Sequence, residues 1–147
     1  MRLKSMLLAG ALTLTLLLSG CGARPLPQGV DEATAGSTAE EIVALLMAGD
    51  YQAVVDAFDP TIKEDLSLTA DDLNPVMEPV LNSGDYISTY KVMVVGSKSK
   101  DYDGEYVTVG IYCEHEKIDV IYELYFDTDL ELIGLQTKQQ RRSFFGN

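Results

Sequence analysis

The sequence contains no tryptophan, one histidine and two cysteines among its 147 residues. A single histidine, His115, excludes a zinc site built from several histidines. Basic residues are also scarce, with 11 Lys and Arg against 23 Asp and Glu and a formal net charge of −12. Such a polyanion lacks the cations that displace counterions from nucleic acid. We therefore expect no nucleic-acid partner, no metal and no cofactor.

Reactive-site motifs are absent as well. The sequence has neither a Gly-x-Ser-x-Gly nucleophile elbow nor a glycine-rich phosphate loop. Two acidic clusters, 101–105 and 127–131, do not match the EF-hand pattern, because its glycine position and its twelfth position hold other residues. Asp-Gly and Asp-x-Asp are favoured in turns, so we interpret both clusters as solvated hairpin turns. Because these motifs are missing, we assign no catalytic residue. The sequence favours a protein that is not an enzyme.

The N-terminus has the features of a leader. Arg2 and Lys4 precede an apolar run from Met6 to Leu18. At about 1.5 Å per residue this run spans about 20 Å, which is too short to cross a bilayer core of about 30 Å. We interpret residues 1–20 as a signal peptide. Its ending, Leu18-Ser19-Gly20-Cys21, resembles the lipobox of bacterial lipoproteins, in which the cysteine carries a diacylglyceryl group.

This resemblance implies a lipid anchor at Cys21 on the extracytoplasmic face of a bacterial cell membrane. Two acyl chains are enough for stable anchoring where one is not. Residues 21–36 are then expected to form a flexible linker with a reach of about 20 Å. Since Cys21 is modified in this interpretation, Cys113 cannot form an intramolecular disulfide. We expect it to be a small buried hydrophobe.

The remaining residues, 37–147, are predicted to form a single domain that begins with helices. Ser37-Thr38-Ala39-Glu40 fits a capping box. Asp50 suits the cap of a second helix, and Asn74 would cap a third in which Pro79 causes a kink. Apolar residues recur at helical spacing after each start. The three helices are predicted to begin at Ser37, Asp50 and near Thr69 and to end at Gly49, Asp59-Pro60 and Gly84.

Beyond Gly84 the apolar residues alternate, which predicts β-strands. The breaks between these strands are short and therefore favour antiparallel pairing. Helices followed by strands indicate an α+β fold, with the N-terminal helices packed on a curved, four-stranded antiparallel sheet. The predicted strands are Tyr86–Val95, Glu105–Lys117, Ile118–Phe126 and Leu132–Gln139.

Four motifs follow one another along the domain: Ala48–Asp59, Gly84–Tyr86, Val107–Glu114 and Tyr125–Leu135, the last with the pattern Phe-Asp-x-Asp-x-x-x-Ile-Gly-Leu. Their order and spacing resemble the bacterial domain of unknown function 3887 over about residues 38–137. The resemblance implies a cone similar to nuclear transport factor 2, in which helices pack into a curved sheet around a pocket. It implies no catalytic residues. Pro75-Val76 departs from the bulky aromatic common in such domains, and the end at Asn147 implies that any hydrolase served is a separate molecule.

Candidate site residues are few. His115 titrates near neutral pH and is a weak candidate for a general base, although a strand-end histidine with no catalytic role fits the pattern equally. Among the eight tyrosines, Tyr90, Tyr112 and Tyr122 are candidate ligand contacts, and ordinary cross-strand packing is the alternative.

These features together indicate a lipid-anchored, non-catalytic domain that binds an unknown small molecule or a neighbouring envelope protein. Two alternatives stay open. One is a small enzyme of the cone superfamily that uses the sheet pocket for acid–base or hydrolytic chemistry. The other is a sheet face that forms an oligomer interface.

Overall fold

The computed structural model describes residues 24–141. The predicted signal peptide at 1–20 and the predicted lipidation site Cys21 lie outside the described residues. Within them, helices precede a four-stranded antiparallel sheet, which confirms the predicted α+β class. The helices are α1 (Glu32–Ala48), α2 (Tyr51–Asp56), α3 (Pro60–Asp65), a 3₁₀ turn (Ala70–Leu73) and α4 (Asn74–Leu81), and the strands are β1 (Tyr86–Ser99), β2 (Tyr102–His115), β3 (Asp119–Phe126) and β4 (Leu132–Gln140).

Helix α1 begins at Glu32, earlier than the predicted start at Ser37. Asp31 is the N-cap, and its carboxylate accepts a hydrogen bond from the Thr34 amide at 2.9 Å. The Ser37 hydroxyl instead donates to the carbonyl of Ala33, inside the helix. This first part of the helix packs on the sheet, since Ala35 and Gly36 are buried and Gly36 lies next to Val92 and Val94 of β1. Residues 32–36, predicted as linker, are therefore helical.

The second predicted helix is confirmed as α2, with the Asp50 carboxylate accepting from the Ala53 amide. Asp59-Pro60 does more than end this helix, because it also starts α3. The Asp59 carboxylate caps the amides of Thr61 and Ile62, and Pro60 occupies the first turn, where its missing N–H costs nothing. This short helix is not among the elements predicted from the sequence.

The third predicted helix is divided in two. Thr69 and Asp72 form a capping box around the 3₁₀ turn, and α4 follows directly. Asn74 lies inside α4 and is not its cap, which corrects the prediction. Pro79 lies within the helix as expected. The carbonyl of Pro79 accepts hydrogen bonds from the Ser83 hydroxyl and the Gln139 amide, so the end of α4 is connected to β4.

The strands lie in the order in which they occur in the chain, β1-β2-β3-β4, and each pairs antiparallel with the next. The register aligns Val94 with Val109, Val109 with Leu124, and Leu124 with Leu135. These apolar residues share one side of the sheet, here called the inner face, on which the helices pack. The Thr137 hydroxyl, also on the inner face, donates to the Val76 carbonyl of α4.

The opposite side is here called the outer face. On β2 and β3 it consists of the residues between the inner-face positions, and several of them are buried: Tyr106, Thr108, Tyr112, Ile121, Glu123 and Tyr125. The inner face is thus mainly apolar, whereas the outer face mixes apolar and polar residues. None of the helices within residues 24–141 is both long enough and apolar enough to span a bilayer.

The residues before α1 pack against the sheet. Arg24 forms an isolated antiparallel bridge with Gly96 of β1, and Leu26 and Val30 contact the hydrophobic core. We call this segment, Arg24–Val30, the N-terminal strap. The flexible linker predicted for 21–36 is therefore corrected over its described part, because residues 24–36 form the strap and the start of α1.

Candidate functional site

A row of four side chains crosses the outer face from one edge of the sheet to the other. The register aligns Lys91 of β1 with Tyr112 of β2, Tyr112 with Ile121 of β3, and Ile121 with Lys138 of β4. Lys91 Nζ lies 5.1 Å from the centroid of the Tyr112 ring, a cation–π distance. The row thus places an aromatic ring and an aliphatic side chain between two ammonium groups.

Tyr90 lies beside this row, although it has no partner in the register of β1 with β2. A bulge between Thr89 and Lys91 interrupts the pairing of β1, and the Tyr90 ring lies 6.2 Å from that of Tyr112. The Tyr90 hydroxyl donates to Asp119 at 3.1 Å. Partial burial, followed by this hydrogen bond, raises the pKa of Tyr90 to about 12. Tyr90 is 52% exposed, so its ring is available to a ligand.

Glu123 lies at the centre of the outer face with its side chain 0% exposed. One carboxylate oxygen is 2.6 Å from Lys138 Nζ, and the other accepts from the Tyr125 hydroxyl at 2.8 Å and the Gln136 amide at 2.9 Å. Burial, followed by the Glu123 charge, raises the pKa of Tyr125. A buried carboxylate requires such partners. The result is a fixed polar cluster beside the row.

His115 and Tyr122 lie on the inner face, away from this cluster. His115 is 1% exposed. Its Nδ1 is 2.9 Å from the Gly84 carbonyl, and its Nε2 is 3.2 Å from the Tyr122 hydroxyl. Because a carbonyl only accepts, Nδ1 carries the proton, and in the neutral imidazole Nε2 accepts from Tyr122. Both ring nitrogens thus have buried partners within the fold, and this arrangement supports a structural role for His115.

Cys113 is buried on the inner face, as expected, next to the Thr89 hydroxyl at 3.4 Å. Burial raises the pKa of its thiol. A thiol with a raised pKa holds little of the reactive thiolate at neutral pH. The structure thus gives Cys113 a packing role.

Clefts open between the helices and the sheet, and two of them have similar volumes. One, of about 210 Å³, is lined mainly by apolar side chains, among them Phe58, Leu73, Val76 and Ile133. Val76, where the resemblance had implied an aromatic, is one of the residues that line this cleft. The other, also about 210 Å³, lies between α1 and the start of β1. Neither cleft brings together a set of groups suited to acid–base chemistry.

An acidic cluster joins the start of α3 to the turn between β3 and β4. The carboxylates of Asp59, Asp127 and Glu131 each offer an oxygen within 4.8 Å of the others. Partial burial and the neighbouring charges raise the pKa values of Asp127 and Glu131. Asp59 caps α3, and Asp127 accepts from the amides of Asp129 and Glu131. These contacts are typical of turn and cap residues, which agrees with the turn predicted at 127–131.

The structure thus separates the three candidate tyrosines. Tyr90 and Tyr112 lie together on the outer face, whereas Tyr122 packs beside His115 on the inner face. The sequence analysis did not select Lys91, Glu123 or Lys138. Strand alternation alone would have placed Tyr112, Glu123 and Lys138 on one face, but the bulge that brings Tyr90 to them has no recognisable sequence signal.

This architecture is that of a small α+β domain in which helices cover one face of an antiparallel meander. The model of a family described as a protein of unknown function, DUF3887, matches residues 39–135. The chain belongs to this family, which confirms the predicted membership. A search of curated proteins gave no match.

Among solved structures, the chain is similar to a protein from Ruminococcus gnavus ATCC 29149 whose structure was determined by NMR. The two share 23% sequence identity with a TM-score of 0.64, and the match covers 78% of this chain and 96% of the other. Similarity at this level establishes a shared fold.

Proposed function

We propose that this protein is a lipoprotein held by Cys21 on the extracytoplasmic face of the bacterial cell membrane, with a non-catalytic binding domain. The support for the anchor is the leader and the lipobox-like Leu18–Cys21. The fold of the domain is proposed to be a nuclear-transport-factor-2-like cone, on the basis of the helix-then-sheet order and the family resemblance.

The binding surface in this proposal is the outer face around Tyr90 and Tyr112. One observation carries it: the exposed Tyr90 ring lies 6.2 Å from the Tyr112 ring, and the exposed Lys91 ammonium lies 5.1 Å from the centroid of that same ring. Tyrosine pairs an apolar ring with a polar hydroxyl, and such residues are common in binding surfaces. The chemistry suits a small molecule, or a segment of an envelope protein, that has both an anionic group and an apolar part.

The anchor is tested by intact-mass analysis and cell fractionation of the full-length protein expressed in its own host. The mature wild-type chain is expected to begin at Cys21, to carry a diacylglyceryl mass and to sediment with membranes. Cys21→Ala is expected to remove the added mass and the membrane association. A mature chain cut elsewhere, or an unmodified Cys21, would overturn the lipoprotein assignment.

Binding is tested by native mass spectrometry of the same mature protein, released gently from that host's membranes in detergent. A discrete added mass that disappears on denaturation is expected for a small ligand. Tyr90→Ala combined with Lys91→Ala is expected to remove it. Lys117→Ala, an exposed change at the turn between β2 and β3, serves as the matched control.

Three outcomes would count against this assignment of the surface. Retention of the added mass in the double variant would place binding elsewhere, with the apolar cleft at Phe58 as the next site to vary. A dimer mass that the double variant abolishes would favour the oligomer-interface alternative. A bare monomer would exclude a stably bound small molecule, and cross-linking in intact membranes would then test for a protein partner on the same face.

A further inference from the structure

The N-terminal strap crosses β1 at a point where only glycine fits. The Gly96 amide donates to the Arg24 carbonyl at 3.1 Å. A Cβ at Gly96 would lie 2.0 Å from the carbonyl oxygen of Pro25, far inside any possible contact. The absence of a side chain at Gly96 is therefore what allows the strap to lie against the strand.

The strap is fixed along its whole length. Leu26 and Val30 pack against the core, and the Val30 amide donates to the Pro27 carbonyl at 3.1 Å to close a turn. Gly29 has a φ of +88° in this turn, which glycine adopts without strain. Asp31 then caps α1 directly. From Arg24 onward the chain therefore has a defined path on the domain.

The strap also has a defined direction relative to β1. The bridge between Arg24 and Gly96 is antiparallel, and β1 runs from Gly96 toward its turn with β2. The chain traced backward from Arg24 is therefore directed toward that turn. Gly96 and Ser99, the last residue of β1, are about 10 Å apart at the usual rise of a strand.

Little chain separates this point from the proposed anchor. Only Gly22 and Ala23 lie between Cys21 and Arg24. Three Cα–Cα steps span at most about 11 Å. A lipid on Cys21 would therefore be attached within about 11 Å of Arg24, which lies near the end of the sheet at which β1 and β2 are joined.

We propose that the tip of the β1–β2 hairpin, residues Lys98–Glu105, lies against the headgroups of the bilayer, and that the turn at Glu116 and Lys117 points away from it. This proposal rests on the lipid anchor at Cys21. The two ends of the sheet are well separated, because β2 runs about 40 Å from Tyr102 to His115 at the rise of an extended strand.

The side chains at this hairpin tip suit zwitterionic headgroups, which carry a phosphate and an ammonium group. Lys98 and Lys100 are exposed and suit the phosphate, whereas the exposed Asp103 and Glu105 suit the ammonium group. The strands then stand roughly upright on the membrane. The outer face consequently opens along the membrane plane, toward neighbouring molecules held in the same bilayer.

The orientation is tested with the mature lipoprotein in vesicles of phosphatidylethanolamine and phosphatidylcholine, both zwitterionic, that carry a nitroxide quencher on their headgroups. A fluorophore is attached at Lys100→Cys or, as the matched position at the other end, at Lys117→Cys. Cys113 is buried and its thiol pKa is raised, so labelling selects the introduced cysteine. Quenching at position 100 is expected to be several-fold greater than at position 117.

Two further variants connect this result to the strap. A flexible Gly-Ser insertion of about ten residues between Ala23 and Arg24 keeps the strap contacts but lengthens the tether, and is expected to reduce quenching at position 100. Gly96→Val is expected to displace the strap and to have the same effect. Equal quenching at both positions without either variant would overturn the orientation, as would strong quenching that survives the insertion.

Failure of the anchor gives a different result from failure of the orientation. If Cys21 carries no lipid, the protein lacks the diacylglyceryl mass and does not float with vesicles, and both proposals fall. Flotation with equal quenching at both positions overturns the orientation alone.

Discussion

Glu123 and Lys138 form an ion pair of 2.6 Å between β3 and β4, in which the carboxylate is completely buried and the lysine side chain is 38% exposed. The register places them diagonally, since Glu123 is opposite Gln136 and Lys138 is opposite Ile121. The polar cluster thus combines a protected negative charge with a positive charge that solvent reaches.

Removal of the lysine charge is expected to destabilise the fold. Lys138→Met leaves the Glu123 carboxylate buried without its cation, at a cost of about 2 kcal/mol, because Tyr125 and Gln136 still donate to it. Urea unfolding measures the change. The double variant with Glu123→Gln is expected to recover most of the loss, and Lys117→Met should change stability by less than about 0.5 kcal/mol. A double variant as unstable as Lys138→Met would contradict this account.

The Tyr122 hydroxyl is expected to stabilise the fold through His115. Tyr122→Phe leaves Nε2 of a buried histidine without this donor, which costs about 1–2 kcal/mol. Tyr90→Phe is the matched change on the outer face, where water can replace the lost bond to Asp119, and a smaller loss is expected. Chemical denaturation of both variants gives the comparison. Similar losses of stability in the two variants would show that the buried Tyr122–His115 hydrogen bond stabilises the fold no more than the Tyr90–Asp119 bond does.

Gly84 is expected to tolerate alanine poorly. Gly84 and Gly49 have nearly the same left-handed backbone, with φ of +80° and +78°. A Cβ at Gly84 would lie 2.8 Å from Glu116 Cβ, whereas a Cβ at Gly49 would meet nothing within 4 Å. Both variants therefore carry the same backbone strain, and Gly84→Ala should cost about 1 kcal/mol more than Gly49→Ala. Equal thermal shifts would rule out the predicted clash.

Glu131 is expected to lower stability at neutral pH. Partial burial, then Asp127 and Asp59, raises the pKa of Glu131, so the folded state binds this proton more readily than the unfolded chain does. Stability therefore falls as pH rises through the acidic range, and the penalty is fully present at pH 7. Glu131→Gln should therefore raise the melting temperature at pH 7.

That gain should disappear near pH 3, where the glutamate is protonated in both states. Thermal melts at the two pH values test this, with the exposed Glu41→Gln on α1 as the control. A gain of the same size at both pH values would show that charge repulsion in the cluster is not its cause.

The sequence predicted the strands well because their apolar residues alternate and the breaks between them are short. The predicted start of α1 was wrong because two residues could each act as its N-cap. Ser37 and Asp31 both precede residues suited to a helix, and the packing of Gly36 against Val92 and Val94, which local sequence does not show, favours the longer helix. Tertiary contacts of this kind override local preference.

The candidate site was predictable only in part. Alternation separates Tyr112 from Tyr122, and the structure places them on opposite faces accordingly. Tyr90 reaches Tyr112 through the bulge in β1, and bulges of this kind depend on the whole sheet. The strap was missed because its Gly, Pro and Ala composition resembles a flexible linker, whereas its path depends on the missing side chain of Gly96.

The sequential strand order also bears on how the domain folds. Each strand pairs with the next in the chain, so the sheet can grow by one hairpin at a time as the chain emerges N-terminus first. The contacts that complete the domain join residues far apart in the sequence and can form only after β4 has emerged. Phe58 pairs with Leu132, and Gln139 donates a hydrogen bond to the end of α4. A chain interrupted before β4 would leave α4 and the edge of β3 uncovered. The last strand therefore closes the domain, and truncations within it should be far more sensitive to proteolysis than truncations beyond Arg141.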